Sequence, residues 1–430
     1  MAWRHSNFAG IPPARVQAIS MARKKILFMA EAVTLAHVGR PLSLAQGLDE
    51  EEYEVHFACA DGYDFCFKQA PFRRWRIDSI SSLQFLQALA HGKPVYTEST
   101  LHAYVEDDLR LLNTVQPDLV IGDFRLSLSV SARLQRIPYM TVSNAYWSPW
   151  VRQHYTVPSL PLTGVLPVWL ADPLFRLIRP LAFASHAVPL NRVRRRHGLP
   201  SLGSDLRRIY TDADRTLYAD IPQLFPPHGM PSTHDYLGPI IWAPPLDLPD
   251  WWQRPELSSG RPIIYVTLGS SGQGTLLPRV LRALAPLPVT VLAATAGTIR
   301  VDAVPPNAYV APFLPGDAAA RRASLVICNG GSPTSQQALA AGVPVIGIAG
   351  NLDQFLNMHG IVGAGAGLLL RADRFQETTL RHAATRMLDD GRAKLAARQL
   401  ATAMRDYVPG QRLLPHIHVL LGSLPQGGQP

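Results

Sequence analysis

At 430 residues the chain is too long for one small core and fits two domains of ordinary size. Hydrophobic residues make up 47% and charged ones 17%, a globular and soluble pattern. No run approaches the ~20 apolar residues that cross a bilayer, which excludes a spanning helix. The net charge of +9 leaves nucleic acid, an anionic membrane surface or a phosphorylated substrate as partners, beside the plain alternative of an arginine-rich surface. No nucleic-acid motif accompanies it.

Residues 1–21 lack the apolar stretch of a secretory signal and read as a disordered leader, with Met21 as an alternative start. Residues 24–31 (KKILFMAE) form a buried-type strand, 37–48 show helical spacing, and 53–60 give the next strand. This βαβ opening has no Gly-x-Gly-x-x-Gly fingerprint. Cys59, Cys66 and Cys328 have no metal-ligand spacing and read as reduced thiols of a cytoplasmic protein.

Strands are expected at 73–77, 118–122 and 138–143, with helices over 81–115 and 126–135. The segment NAYWSPW (144–150) follows a strand's carboxyl end, where such sheets bind ligands. Tyr146 and Trp147 there could face an apolar or sugar-bearing acceptor, or simply close the core. Residues 158–190 read as amphipathic helices, and the basic run Arg192, Arg194, Arg195, Arg196, His197 follows directly. That combination fits peripheral membrane contact or a solvated helix face. The proline-dense stretch 222–262 reads as a connection between domains, giving a first domain over 22–225 and a linker over 226–262. A second domain over 263–405 opens with a strand (263–268) and the turn Gly269-Ser270-Ser271-Gly272. A helix (276–285) and a strand (289–294) complete another βαβ unit, and 406–430 form a helical tail.

The most informative run is 325–357, LVICNGGSPTSQQALAAGVPVIGIAGNLDQFLN. An apolar strand meets a small-residue turn, then a helix, a second strand and a further helix. Glycines allow close backbone approach, and the free N–H groups opening the helix favour a phosphate, so the turn reads as a diphosphate seat. Asp353 and Gln354 lie where they can bond hydroxyl groups.

Asn329-Gly330-Gly331-Ser332-Pro333-Thr334, with Gln337-Ala338-Leu339, Gly342-Val343-Pro344, Asp353-Gln354 and Asn357, resembles the donor signature of the family-1, GT-B fold glycosyltransferases. Asn329 stands where that family has a phosphate-contacting His, and Gln337 where it has a ribose-binding Glu. Either replacement still hydrogen-bonds. The resemblance implies an α/β architecture of two Rossmann-like domains facing a cleft, with the acceptor on the first and the nucleotide-sugar on the second, and the C-terminal helix packed back on the first. It implies inverting, metal-independent transfer from a UDP- or dTDP-type donor to a hydroxyl of a small apolar or lipid-like acceptor, with no metal and no other cofactor.

His37, in the context Ala36-His37-Val38, matches the family's general base, and imidazole suits the task. Asp123 matches the carboxylate that holds it, although a helix cap is a plain alternative. Gly269, Ser270 and Ser271 would reach the phosphates, with Asn329, Gly330, Gly331, Ser332 and Thr334. Phe313 would lie against the base and the Leu314 backbone at its edge. Gln337 would contact the ribose, and Asp353 and Gln354 the sugar. Two other readings stand beside this one: a catalytically degenerate homologue that binds a partner, and a nucleotide-sugar epimerase.

Overall fold

The computed structural model describes residues 23–422, apart from residues 69, 245, 259, 270–272 and 298 and the side chains of residues 256 and 258. The leader reading and the donor assignments of Ser270 and Ser271 therefore lie outside the described residues.

Two parallel sheets carry the chain. The first contains β1 (Lys24–Ala30), β2 (Tyr53–Cys59), β3 (Arg73–Arg76), β4 (Leu119–Asp123), β5 (Tyr139–Ser143), β6 (Arg215–Tyr218) and β7 (His234–Tyr236), in the spatial order β3-β2-β1-β4-β5-β6-β7. The second contains β8 (Ile263–Thr267), β9 (Thr290–Ala294), β10 (Ala308–Ala311), β11 (Leu325–Cys328), β12 (Val345–Ala349) and β13 (Gly367–Arg371), in the order β10-β9-β8-β11-β12-β13. Continuous apolar strands such as IIYVT and LVIC are buried at every position, because helices cover both faces of a parallel sheet. The strand order reverses between β1 and β4, and again between β8 and β11. A parallel sheet opens a crevice at such a point, beyond its carboxyl ends.

One difference from the sequence reading has a physical cause. β6, β7 and β13 are short, and β7 lies inside 226–262, so the first sheet extends into the stretch read wholly as linker. Only an edge strand tolerates that proline density, and β7 is the sheet's edge. Residues 158–190, read as helices, hold the short Pro161–Val165 and, after a break at Pro167, the 29-residue Val168–Arg196, which runs through Pro173, Pro180 and Pro189. Its inward residues Ala171, Phe175, Phe183, Ala187 and Leu190 are buried, and that packing offsets the lost N–H bonds.

The helix Pro409–Leu421 returns to the first domain, where Leu413 and Ile417 join the core of Val38, Leu42 and Ile121. An arm of the first domain, residues 156–163, lies along the second. Ser159 N donates to the Gly350 carbonyl (2.7 Å), Thr163 Oγ1 to Asp373 (2.8 Å), and Arg371 to the Val157 carbonyl (2.7 Å).

His359 sits in this contact, its Nε2 2.9 Å from Thr156 Oγ1. Burial pushes it down to about 4, and His154 beside it acts the same way; burial alone holds His234 at about 4. Both titrate lower folded than unfolded, so the unfolded chain binds more protons between about 4 and 6.5. Above about 6.5 both are neutral folded and unfolded alike, and stability is lost as pH falls from there toward about 4. Thermal unfolding from pH 7 to pH 4 should show the decline, and His359→Gln should flatten it. Equal slopes for the two proteins would remove His359 from the account.

Candidate active site

The first crevice is built on a buried carboxylate. β4 ends on Asp123, in register with Ala30 at the end of β1. Asp123 is 0% exposed. The helix Leu35–Gln46 leaves the loop after β1 and brings two side chains to it. Arg40 clasps the carboxylate with two prongs, Nε to Oδ2 at 3.0 Å and an Nη to Oδ1 at 2.7 Å. His37 Nδ1 lies 2.8 Å from Oδ1. Burial works against the Arg40 charge, but Asp123 more than offsets it and holds the guanidinium above its ordinary value. Nδ1 also lies 3.1 Å from that Arg40 Nη, which can only donate, so the two nitrogens lie side by side as donors to the same Oδ1. The carboxylate draws the imidazole proton to Nδ1, which leaves Nε2 as the atom with a free lone pair. The ring stacks on Phe124, with centroids 4.8 Å apart and planes 17° from parallel. Phe124 follows Asp123 with φ +57°, a left-handed backbone that a non-glycine residue adopts at some cost.

A polar chain runs from this cluster across the cleft. Arg40 donates to Asn144 Oδ1 (2.6 Å), and Asn144 Nδ2 donates to Asp220 (3.1 Å) and to Ser332 Oγ (3.3 Å) in the second domain. Asp220 also accepts from Ala145 N and from Gln336 Nε2, at 2.6 and 2.9 Å. Burial lifts its carboxyl to about 7, against these donors and Arg40.

The second crevice faces the first. Cys328 ends β11 beside Thr267 at the end of β8, so the loops Leu268–Gly269 and Asn329–Gly331 emerge side by side. A Cβ on Gly269 would lie 3.2 Å from the Asn329 amide. Asn329 Oδ1 accepts from Gly331 N (3.0 Å), which folds the turn on itself. Gly330 has φ +81°, and a Cβ there would meet Met358 at 2.8 Å. Asn357 Nδ2 donates to the Gly330 carbonyl (2.8 Å) and Ser335 Oγ (2.9 Å), pinning the turn from behind. The helix Ser332–Ala340 then starts with Gly331 at its cap, and its first N–H groups point into the cleft end of the sheet.

Other residues fall less simply. Thr334 is in the first turn of that helix. Gln337, one turn on, donates to the Trp242 carbonyl (2.9 Å), and a Cβ on Gly316 would meet its Oε1 at 2.4 Å. The Trp242 ring in turn covers Gly39, where a Cβ would lie 2.3 Å away. Phe313 is 47% exposed near Gly297, whereas the Leu314 side chain is buried. Asp353 accepts from Trp147 Nε1 (2.8 Å) and from Tyr146 OH (3.3 Å). Tyr146 is buried against Phe225, so only its hydroxyl reaches this carboxylate, while Trp147 is half-buried. Gln354 Oε1 accepts from Gly350 N (2.8 Å) and Asn351 N (3.3 Å), closing a capping box on the helix Leu352–Gly363. The sequence reading gives Arg40, Phe124, Asn144 and Asp220 no role of their own in the site. The only local signal for Arg40 is its position one helical turn after His37. Among the described residues no cluster of metal-ligating side chains occurs.

Two parallel α/β domains closing on a cleft, with a histidine–carboxylate pair on one lip and a glycine turn at a helix start on the other, define the GT-B class of sugar-transferring enzymes. Residues 276–410 match the family described as erythromycin biosynthesis protein CIII-like, C-terminal domain. The PGL/p-HBAD biosynthesis rhamnosyltransferase of Mycobacterium bovis (strain BCG / Pasteur 1173P2) is 52% identical over 397 residues, covering 92% of this chain and 88% of that protein. A protein of the same strain described as an inactive PGL/p-HBAD biosynthesis glycosyltransferase is 50% identical over 265 residues, 61% of this chain and 71% of its own. The solved structure of the spinosyn rhamnosyltransferase SpnG shares the fold, with a TM-score of 0.66 at 18% identity, over 92% of this chain and 100% of its own. The chain belongs to the family-1 GT-B fold glycosyltransferases and is a glycosyltransferase.

Replacing Arg40 with methionine leaves the buried Asp123 without its guanidinium and should cost about 3–5 kcal/mol. Gly330→Ala, strained and crowded by Met358, should cost about 1–3 kcal/mol. Urea unfolding checks both; midpoints equal to wild type would show that the site relaxes around either change.

Proposed function

We propose that this enzyme moves a rhamnosyl or related hexosyl group from a dTDP- or UDP-type nucleotide-sugar to a hydroxyl of a phenolic glycolipid or its precursor, with inversion and without a metal. The observation that carries the reading is the placement of His37 and Asp123 on one lip of the cleft opposite the Asn329–Thr334 turn on the other, with Asn144 and Ser332 meeting between them. The relative named for rhamnosyl transfer in PGL/p-HBAD biosynthesis, matched over nearly the whole chain, supports the sugar and the acceptor class.

In this reading His37 Nε2 takes the proton of the acceptor hydroxyl as its oxygen bonds to the anomeric carbon. The bond from that carbon to the diphosphate oxygen breaks, and the leaving group carries its charge to the backbone N–H groups of Ser332 and Thr334 and to the Ser332 hydroxyl. Asp123 stabilises the imidazolium that forms, as a carboxylate oriented on Nδ1 does elsewhere. Asn329 donates a neutral hydrogen bond where the family's histidine stands. Gln337 reaches the ribose with its oxygen, since its nitrogen is committed to Trp242. Asp353, preset by Trp147 and Tyr146, accepts from the sugar's hydroxyls, and Gln354, whose oxygen serves the capping box, donates to one from its amide nitrogen.

A second reading, a binding protein without turnover, draws on Asn329, Gln337 and the inactive relative. Thermal unfolding with UDP-, dTDP- and GDP-sugars separates the two. A ligand that binds only the folded chain at a hundred times its Kd stabilises it by about 2.7 kcal/mol. One nucleotude class should raise the unfolding temperature, and radiolabelled sugar from it should reach the acceptor. His37→Ala should keep the thermal shift and lose about 10²–10⁴-fold in kcat. Full activity in that variant would remove His37 as the base, and no shift with any nucleotide would favour the binding protein.

A further inference from the structure

We propose that the outward face of the helix Val168–Arg196 is a docking surface for an anionic lipid bilayer. A helix on a protein surface ordinarily shows water a polar face. This one shows Trp169 (72% exposed), Leu170, Leu174, Leu177 (77%), Ile178, Leu181 (73%) and Val188. Leu170, Leu174, Leu177 and Leu181 recur at steps of three and four residues, with Ile178 beside them and Val188 two turns on, so they form one stripe opposite the buried residues Phe175 and Phe183. The preceding turn adds Val165, 84% exposed.

The same outward line continues into charge. Arg192, Arg195 and Arg196 face solvent at the last two turns and line a hollow with Glu98. Arg192 and Arg196 share that one carboxylate, at 3.5 and 2.6 Å, so three guanidinium groups meet a single acid. An apolar stripe ending in arginines matches the acyl boundary and the anionic headgroups of one leaflet. No helix among the described residues is long and apolar enough to cross the membrane, so the contact is interfacial.

The inner side of the helix gives the surface a purpose, which rests on the lipid-like acceptor proposed above. His186, Pro189 and Leu190 line a narrow apolar pocket with Tyr96, Ile209 and Tyr210. Tyr210 packs on Phe124 (5.3 Å between ring centroids), and Phe124 stacks on His37. Between an acceptor held in the leaflet and His37 stand the helix and, behind it, the rings of Tyr210 and Phe124.

Flotation of the full chain with phosphatidylcholine vesicles, and with vesicles also containing phosphatidylglycerol, tests the surface without donor or acceptor. The wild-type protein should float with the anionic vesicles, less so at high salt. Leu177→Glu with Leu181→Glu should weaken this about tenfold or more, and Arg192→Glu with Arg195→Glu should remove the preference for anionic lipid. All four positions face solvent, and unfolding temperatures equal to wild type would show the fold intact. Failure to float, or flotation unchanged in both double variants, overturns the proposal. So does a dimer, seen by light scattering, that the double leucine variant splits while lipid binding is absent. Glycosyl transfer to a short water-soluble acceptor is measured separately, so a failed transfer and a failed docking remain distinct results.

Discussion

A carboxylate with no access to water governs the first domain. Asp123 ends a strand that is buried along its whole length, and an ion placed there needs a partner that is equally fixed. Arg40 meets the need with a two-pronged clasp, which sets the rotation of the helix that carries it. One turn earlier on that helix, His37 has little choice of position. The nitrogen proposed as the base is thus placed by an ion pair rather than by a flexible loop, and the left-handed backbone at Phe124 supplies the ring that holds the imidazole flat.

The same logic extends across the cleft. Asn144 and Asp220 pass the chain of hydrogen bonds to Ser332 and Gln336, so the helix start proposed to take the leaving phosphate is registered against the proposed base. Tyr146 and Trp147 hold Asp353 from the first domain in a similar way. Each domain contributes polar groups that are satisfied only by the other. A buried polar group without its partner is costly, so these bonds favour a closed arrangement over many loosely related ones.

Much of the fold was legible because parallel sheets buried on both faces print themselves as apolar runs. Lys24–Ala30, Ile263–Thr267 and Leu325–Cys328 are of that kind, and each stands close to its expected place. The short edge strand His234–Tyr236 was hidden by prolines, and the full length of Val168–Arg196 was not legible, because tertiary packing carries that helix through three prolines. The glycine turn was legible as a turn, since its geometry depends on neighbours in sequence. Arg40, Asn144 and Asp220 were not, because they become partners only when strands a hundred residues apart lie side by side.

The contact of Gln337 with the segment joining the domains has an evolutionary consequence. A glutamate at that position, as the wider family has, would set an acceptor against the Trp242 carbonyl where an amide now donates. Trp242 cannot easily move away, since its ring fills the space left by the missing side chain of Gly39. The three residues form a matched set spread over three hundred positions. A change at one alone would leave the other two mismatched, so these three positions should vary together among related chains.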